Sequence, residues 1–294
     1  MDTTLKKDIV YKPFEKVLFG FAFSPSLHAN LLETIRLSLF FKARLILIHV
    51  GKKTAAKEAQ VKRFLAESEN QPKDISIYWE KGNPVRVLLN ACAKYDVDLL
   101  LLGALKRENV FKFYLGSIAR KLTRKAKCSV LLMLNPSVER IPCNHIVVNA
   151  LENPKTNKAI AMAFYTATAL GSSKITLVEE ISTSGITLVD DDASLEKAML
   201  QKEDIQRKEN VRVHDMVAEI PEQNKKNVQW YTQGIFGRRG YSISHYAQIV
   251  RADLLVMNGE VKRSFFKRLF LKDIEYILAE LPTNVLIVQS NSNE

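Results

Sequence analysis

The chain has 294 residues, of which 47% are hydrophobic, and its formal net charge is +11. The length predicts two domains of about 150 residues each, and the hydrophobic content is typical of a chain that can bury two cores. No run of about 18 apolar residues appears, so we expect no transmembrane segment, and the polar N-terminal stretch predicts no secretion signal. Three unevenly spaced cysteines without a CxxC pattern predict reduced thiols in a cytoplasmic protein.

Apolar runs and amphipathic stretches alternate along the first half of the chain. The apolar runs predict strands at 17–21, 45–50, 75–79, 99–102 and 129–134. The stretches between them predict helices around 31–39 and over 52–70, 85–94 and 116–126. Near-continuous apolar strands that alternate with helices are typical of a parallel sheet covered on both faces. Right-handed crossovers then give a doubly wound α/β domain.

The second half repeats this order, with strands near 146–148 and 175–178 and a helix over 158–170. Near its end the repeat runs without a gap, and Asp98 corresponds to Asp253, 155 positions later. At its start the offset is 129, which pairs Val17 with Ile146 and Val50 with Glu179. The second copy must therefore hold 26 more residues between its second and fourth strands. The candidates are the acidic stretch 190–192 and a lengthened charged helix reaching toward Lys226.

The repeat predicts two domains, at 1–137 and 143–294, the second with an inserted charged segment. Pro136 and Pro142 bracket a segment without strand character that would join the domains.

Several short motifs in the right order resemble the universal stress protein family. They include Leu47-Ile48-His49-Val50, Gly82-Asn83-Pro84, Leu101-Leu102-Gly103 and Gly116-Ser117-Ile118-Ala119. The resemblance covers nearly the whole chain as a tandem pair. It implies two five-stranded parallel sheets with strand order 3-2-1-4-5 (adenine-nucleotide alpha-hydrolase-like). Such domains commonly pair through their last strands, here 130–134 and 285–289, which implies an internal pseudo-dimer.

Members of this family that bind ATP have an aspartate after the first strand and a Gly-x2-Gly-x9-Gly-Ser/Thr loop after the fourth. Glycines let backbone N–H groups approach phosphate, and a helix N-terminus adds a favourable dipole. The resemblance therefore places candidate nucleotide-binding positions of the first domain at Ala22, Ser24, Val50, Gly103, Lys106, Gly116 and Ser117. Ala22 replaces the aspartate and Lys106 replaces the middle glycine, so whether ATP or another nucleotide binds there stays open.

The second domain departs further from the family pattern. Its counterpart positions are Leu151, Asn258, Val261, Leu271 and Lys272. Leu271 cannot allow the close backbone approach that glycine allows, so we expect no ATP to bind there in this mode.

Two interpretations of the first loop stay open. In one, Gly103 ends a strand and Gly116-Ser117 caps a helix, since both residue types are favoured there. In the other, they form a weakened phosphate site to which Lys106 adds positive charge. His49 has no neighbouring Ser, Cys or Asp pattern, so we expect a packed histidine rather than a catalytic base.

Basic and aromatic residues interleave at 106–114 and 262–270. These loops would cover an emptied pocket or a domain contact, or they would bind nucleic acid or lipid. No metal or Walker spacing occurs.

The chain is therefore predicted to be a non-enzymatic stress-response protein with a binding or regulatory role and degenerate ATP sites. The alternatives are a nucleotide switch or slow ATPase with one site in the first domain, and a binder of anionic surfaces. The resemblance also allows a homodimer and an unidentified protein partner.

Overall fold

A computed structural model describes residues 14–106, 113–183, 185–259, 275–279 and 281–289. The strands are β1 (Lys16–Phe21), β2 (Arg44–Val50), β3 (Ile75–Glu80), β4 (Leu99–Gly103), β5 (Leu105–Lys106), β6 (Phe113–Tyr114), β7 (Ser129–Met133), β8 (His145–Asn149), β9 (Lys174–Ile181), β10 (Gln229–Phe236), β11 (Leu254–Asn258) and β12 (Asn284–Val288). The helices are α1 (Leu27–Phe40), α2 (Ala55–Ala66), α3 (Pro84–Lys94), α4 (Ser117–Lys125), α5 (Thr156–Leu170), α6 (Asp192–Ala218), α7 (Glu222–Lys225) and α8 (Tyr241–Ile249). Residues 275–279 are also helical.

Ten strands form one continuous sheet in the order β10-β9-β8-β11-β12-β7-β4-β1-β2-β3, and β5 pairs separately with β6. The five strands of each half are parallel to one another, and each half has the predicted order 3-2-1-4-5. The doubly wound α/β prediction is thus confirmed. The strands are nearly all apolar because helices cover both faces of the sheet, and β4 and β7 are buried along almost their whole length.

The two halves join where β7 and β12 pair antiparallel, as the last-strand prediction required. Leu131 pairs with Leu286, its own counterpart in the repeat. Two side chains continue the pairing on either side. The backbone N–H of Leu134 donates to Asn284 Oδ1 at 2.7 Å, and the N–H of Gln289 donates to Ser129 Oγ at 3.3 Å.

Helices beside this seam carry a cross-domain ion pair. Arg124 Nε donates to Glu275 Oε1 at 2.8 Å, and Arg120 Nη1 lies 3.4 Å from Glu275 Oε2. Arg120 Nη2 also donates to the carbonyl oxygen of Leu278 at 3.3 Å. The pairing of the halves therefore involves side chains as well as the sheet.

The extra length of the second half lies mainly in α6, which has 27 residues against 12 in α2. Asp191 caps this helix: its side chain accepts from the Ser194 N–H at 2.7 Å, and Ser194 Oγ accepts from the Asp191 N–H at 2.9 Å. The acidic stretch therefore starts the long helix, because such a capping box satisfies free N–H groups of the first turn.

One of the extra residues of the second half lies before β9, and it shifts the predicted alignment of that strand with β2. Lys16 pairs with Arg44 in the first half, whereas His145 pairs with Lys174 in the second, so the offset at β9 is 130. The prediction that Val50 corresponds to Glu179 is therefore wrong by one position. The true counterpart of Val50 is Glu180. A shift of one residue moves a side chain to the other face of a strand, so the correction changes which groups share a site.

The joining segment 135–143 contains no strand, as expected. Arg36 of α1 fixes it by donating from Nη1 to the carbonyl oxygen of Val138 at 2.6 Å. Cys92 and Cys128 are buried, Cys143 is partly buried, and all three are free. No helix in the described ranges is long and apolar enough to cross a bilayer.

The repeated aspartates have the same structural role in both halves. Asp98 Oδ2 accepts from the backbone N–H groups of Glu15 and Lys16 at 3.0 and 2.9 Å. Asp253 Oδ2 accepts in the same way from Asn144 and His145 at 2.8 and 2.9 Å. Each carboxylate therefore holds the start of its half's first strand beside the fourth strand.

We expect Asp98→Ala and Asp253→Ala each to lower the free energy of unfolding by about 1–3 kcal/mol, because two strand N–H groups lose their acceptor. Denaturant unfolding measures this. Asp215→Ala is the matched control, since Asp215 is exposed on α6. Equal unfolding midpoints for Asp98→Ala and Asp215→Ala would contradict the structural role.

Candidate functional site

The described candidate residues of the first half meet at one edge of the sheet. Ala22 and Ser24 follow β1, Val50 ends β2, Gly103 ends β4, and Gly116 precedes α4. The carboxyl ends of parallel strands share an edge, and ligands of open α/β sheets bind outside it. These positions thus share the carboxyl edge of the sheet.

The space over Gly103 contains the side chain of Asn30 from α1. A Cβ atom at Gly103 would lie 3.0 Å from Asn30 Oδ1. Asn30 Nδ2 donates to the Ser26 carbonyl oxygen at 2.9 Å and contacts Ser26 Oγ at 3.1 Å. Asn30 Oδ1 is buried and has no hydrogen-bond partner among the described residues. An amide thus covers the backbone at Gly103.

In the second half an amide lies at the corresponding place, but it comes from the end of a strand rather than from a helix. Asn258, the counterpart of Gly103, donates from Nδ2 to Thr156 Oγ1 at 3.1 Å, and its Oδ1 is buried without a partner in the described ranges. Ala159 stands at the helix position that Asn30 has in α1. The amide that comes from the helix in one half comes from the strand in the other.

An aromatic cluster lies at the ends of β1, β2 and β3 in the first half. The His49 ring centroid is 5.4 Å from that of Phe21, 4.9 Å from that of Phe23 and 5.2 Å from that of Trp79. His49 is 7% exposed, and its Nδ1 lies 3.1 Å from the Phe21 carbonyl oxygen. The prediction of a packed histidine is confirmed.

The loop that follows β4 leads to α4. Gly116 is the N-cap residue of α4, Ser117 is the first helical residue, and no side chain caps this end. The backbone of Lys106 pairs with that of Phe113 in the β5–β6 hairpin. Residues 107–112 of the first basic loop and all of 262–270 lie outside the described residues, as do Val261, Leu271 and Lys272.

Leu151 fills the aspartate position of the second half with an apolar side chain. It is 5% exposed, and its N–H donates to Asn149 Oδ1 at 3.1 Å. Its carbonyl oxygen accepts from Thr156 Oγ1.

A cleft of about 180 Å³ opens at this edge of the second half, and carboxyl groups dominate its polar lining. Its lining residues are Leu151, Glu152, Glu179, Glu180, Ile181, Ser182, Ile205, Glu209 and Arg239. The apolar run predicts a strand that ends at Val178, and no site role is predicted for the two acids after it. The aliphatic Ile181 beyond them is the signal that could have shown that the strand continues.

The two adjacent acids differ in their surroundings. Glu180 accepts from the N–H groups of Gly240 and Ile243 at 2.9 and 2.8 Å, and so binds the start of α8. Glu179 faces α6 and is 2% exposed, and neither of its oxygens has a hydrogen-bond partner among the described residues. Burial, and secondarily the charge of Glu209, raises the pKa of Glu179 to about 7, while Arg212 opposes this shift.

A larger cavity of about 330 Å³ lies between the two halves, below the joining segment. Apolar residues such as Leu37, Phe41 and Leu131 line it, and it contains none of the candidate nucleotide-binding residues. Within the described part of the chain, no three His, Cys, Asp or Glu side chains are grouped to hold a metal ion.

Comparison with known proteins agrees with this architecture. The full chain has the fold of tandem nucleotide-binding-like α/β proteins. It matches a protein of unknown function from Pseudomonas aeruginosa PAO1 with a TM-score of 0.67 at 14% identity, covering 95% of this chain and 93% of that one. It matches a universal stress protein from Archaeoglobus fulgidus with a TM-score of 0.63 at 13% identity, covering 93% and 98%.

The model of the universal stress protein family matches residues 51–133, which include Gly103, Gly116 and Ser117. The matched segment, from the end of the second strand to the end of the fifth, therefore resembles that family, while the full-length structural matches show the fold. A universal stress protein solved in complex with cAMP matches 43% of this chain and 100% of its own, at 20% identity and a TM-score of 0.36. No curated protein matches the sequence.

The raised pKa of Glu179 predicts a specific pH dependence of stability. The buried site favours the neutral acid. Its contribution to the free energy of unfolding is therefore complete below pH 4.5, the ordinary pKa of a glutamate, and is lost as the pH rises through about 7. In amine-free buffer, Glu179→Gln should match the parent protein in acid and exceed its unfolding free energy at alkaline pH by about 2–3 kcal/mol.

Denaturant unfolding at both pH values measures the difference. Glu196→Gln, an exposed change on α6, is the control and should show no such pH dependence. A Glu179→Gln effect of equal size at both pH values would contradict titration of this carboxyl.

Proposed function

We propose that this chain is a non-enzymatic stress-response protein with a binding or regulatory role, and that both of its nucleotide sites are degenerate. The observation that carries the proposal is the amide of Asn30 over Gly103. Phosphate binding by a glycine loop needs close approach to a backbone without a side chain, and Asn30 already fills the space on the Cβ side of Gly103. Ala22 also offers no carboxylate to a ribose.

The second half supports the proposal independently. Asn258 replaces the first glycine, and Leu151 is buried where an aspartate would hold the nucleoside. The neighbouring cleft is lined by several carboxyl groups, Glu179 and Glu209 among them. Like charges placed close together repel, so these acids oppose binding of a phosphate chain at this edge.

A nucleotide switch or slow ATPase in the first half is the second candidate, and one observation favours it. Gly116 begins α4 without a side-chain cap, and free N–H groups at a helix N-terminus attract anions. The buried Asn30 Oδ1 without a partner in the described ranges could also accept from a ligand.

Titration of the full chain with Mg-ATP separates the two candidates. A site with a micromolar Kd would stabilise the fold by about 4 kcal/mol at millimolar ATP, which is a large rise in Tm. We expect no saturable heat and no rise in Tm, for the parent protein and for Gly116→Leu alike.

Saturable binding of ATP that Gly116→Leu abolishes would overturn the proposal and establish the nucleotide switch. Release of phosphate from ATP by the parent protein, absent in Gly116→Leu, would establish the slow ATPase.

A further inference from the structure

The cleft of the second half contains a buried acid for which the described residues provide no hydrogen-bond partner. Glu179 lines the cleft and is 2% exposed, and both of its oxygens lack hydrogen-bond partners in the described ranges. Buried polar groups are almost always hydrogen-bonded, and a buried charge needs a partner. A buried acid without such a partner indicates a ligand that would donate hydrogen bonds to it.

Comparison of the two halves shows how the cleft arises. In the strand registers, Glu179 takes the place of His49, and Gly234 takes the place of Trp79. At the end of the first strand, Ala150 replaces Phe21. The second half has therefore lost two large aromatic side chains from this corner, and a cavity of about 180 Å³ lies beside it.

The charges of the cleft favour a cation. Its walls contain the carboxyl groups of Glu152, Glu179 and Glu209 and one guanidinium, that of Arg239. Behind the wall, Arg212 pairs with Glu209 at 2.6 Å and donates to the Ala150 carbonyl oxygen at 2.6 Å, so it is already engaged. Carboxyl groups thus outnumber the cations at the cleft surface.

We propose that this cleft binds a small organic cation, a protonated primary amine or a guanidinium group, with Glu179 accepting its N–H groups. The volume is below the roughly 300 Å³ of pockets for drug-sized molecules, so the ligand is small. Coordination of a metal ion is not favoured, because the described residues include no suitable group of three ligands. Charge-assisted hydrogen bonds to a buried carboxylate supply both affinity and direction.

Cation binding in the second half does not depend on whether the first half binds a nucleotide. It concerns other residues, in the other half, and a ligand of opposite charge. A failed ATP titration and a failed cation titration would therefore be separate results.

Calorimetric titration of the full chain in phosphate buffer near neutral pH tests the proposal, with agmatine and n-butylammonium as probes and butyrate as the charge control. We expect saturable binding of the cations and none of butyrate. Because burial raises the pKa of Glu179 to about 7, binding of a cation should release protons near this pH, measured by comparing buffers of different ionisation heat.

Glu179→Gln keeps the shape of the side chain and removes its charge. It should weaken binding of the cations about ten- to hundredfold, the usual effect of a lost hydrogen bond to a charged group. Glu196→Gln removes one exposed carboxylate from α6 and should leave the affinity unchanged. Thermal melting should show both variants folded, with a smaller Tm rise on adding agmatine in Glu179→Gln than in Glu196→Gln and the parent protein.

Two results would overturn the proposal: no cation binding by the parent protein at millimolar concentration, or equal loss of affinity in both variants. The first measurement uses the parent protein alone, so it tests the proposal even if Glu179→Gln fails to fold.

Discussion

The antiparallel pairing of β7 with β12 is the interaction on which the whole molecule depends. Each strand is the last of its half, and each would otherwise be an exposed edge with unpaired N–H and C=O groups. The pairing is centred on Leu131 and Leu286, which are counterparts in the repeat, so an approximate two-fold axis passes between them. Ser129 and Asn284, also counterparts, extend it with one side-chain hydrogen bond each. One sheet of ten strands results from two five-stranded halves.

Around this seam the two halves have the same framework but differ at the carboxyl edge of the sheet. The carboxylates of Asp98 and Asp253 hold the first strands in the same way. At the carboxyl edge, by contrast, the aromatic corner around His49 corresponds to an acidic cleft around Glu179. Conserving the frame while altering one edge is consistent with the general rule that function resides in sites carried by a fold.

Much of this architecture could be predicted from the sequence, because strands buried on both faces leave long apolar runs and because duplication makes each half a check on the other. The offset of 155 matched Asp98 with Asp253 correctly, and the family resemblance implied the last-strand pairing. The offset at β9 was wrong by one, since a single residue added between β8 and β9 leaves no gap that an apolar run reveals.

The chemistry of the sites was harder to predict for a physical reason. Asn30 and Gly103 are far apart in the chain and meet only in the folded sheet, so the covering of that glycine has no local signal. The burial of Glu179 likewise depends on α6 folding back over β9. Glu179-Glu180 at the end of an apolar run looks like an exposed strand end, and only packing shows that both are buried.

The contact between Arg120 and Glu275 has a consequence for which domains can pair. These residues occupy equivalent positions in the repeat and meet across the approximate two-fold axis. In a symmetric pair of identical domains, a residue beside the axis faces its own copy. Two copies of the first domain would set arginine against arginine, and two of the second would set glutamate against glutamate. Opposite charges there favour the pairing of the two different domains of one chain over the pairing of two identical domains.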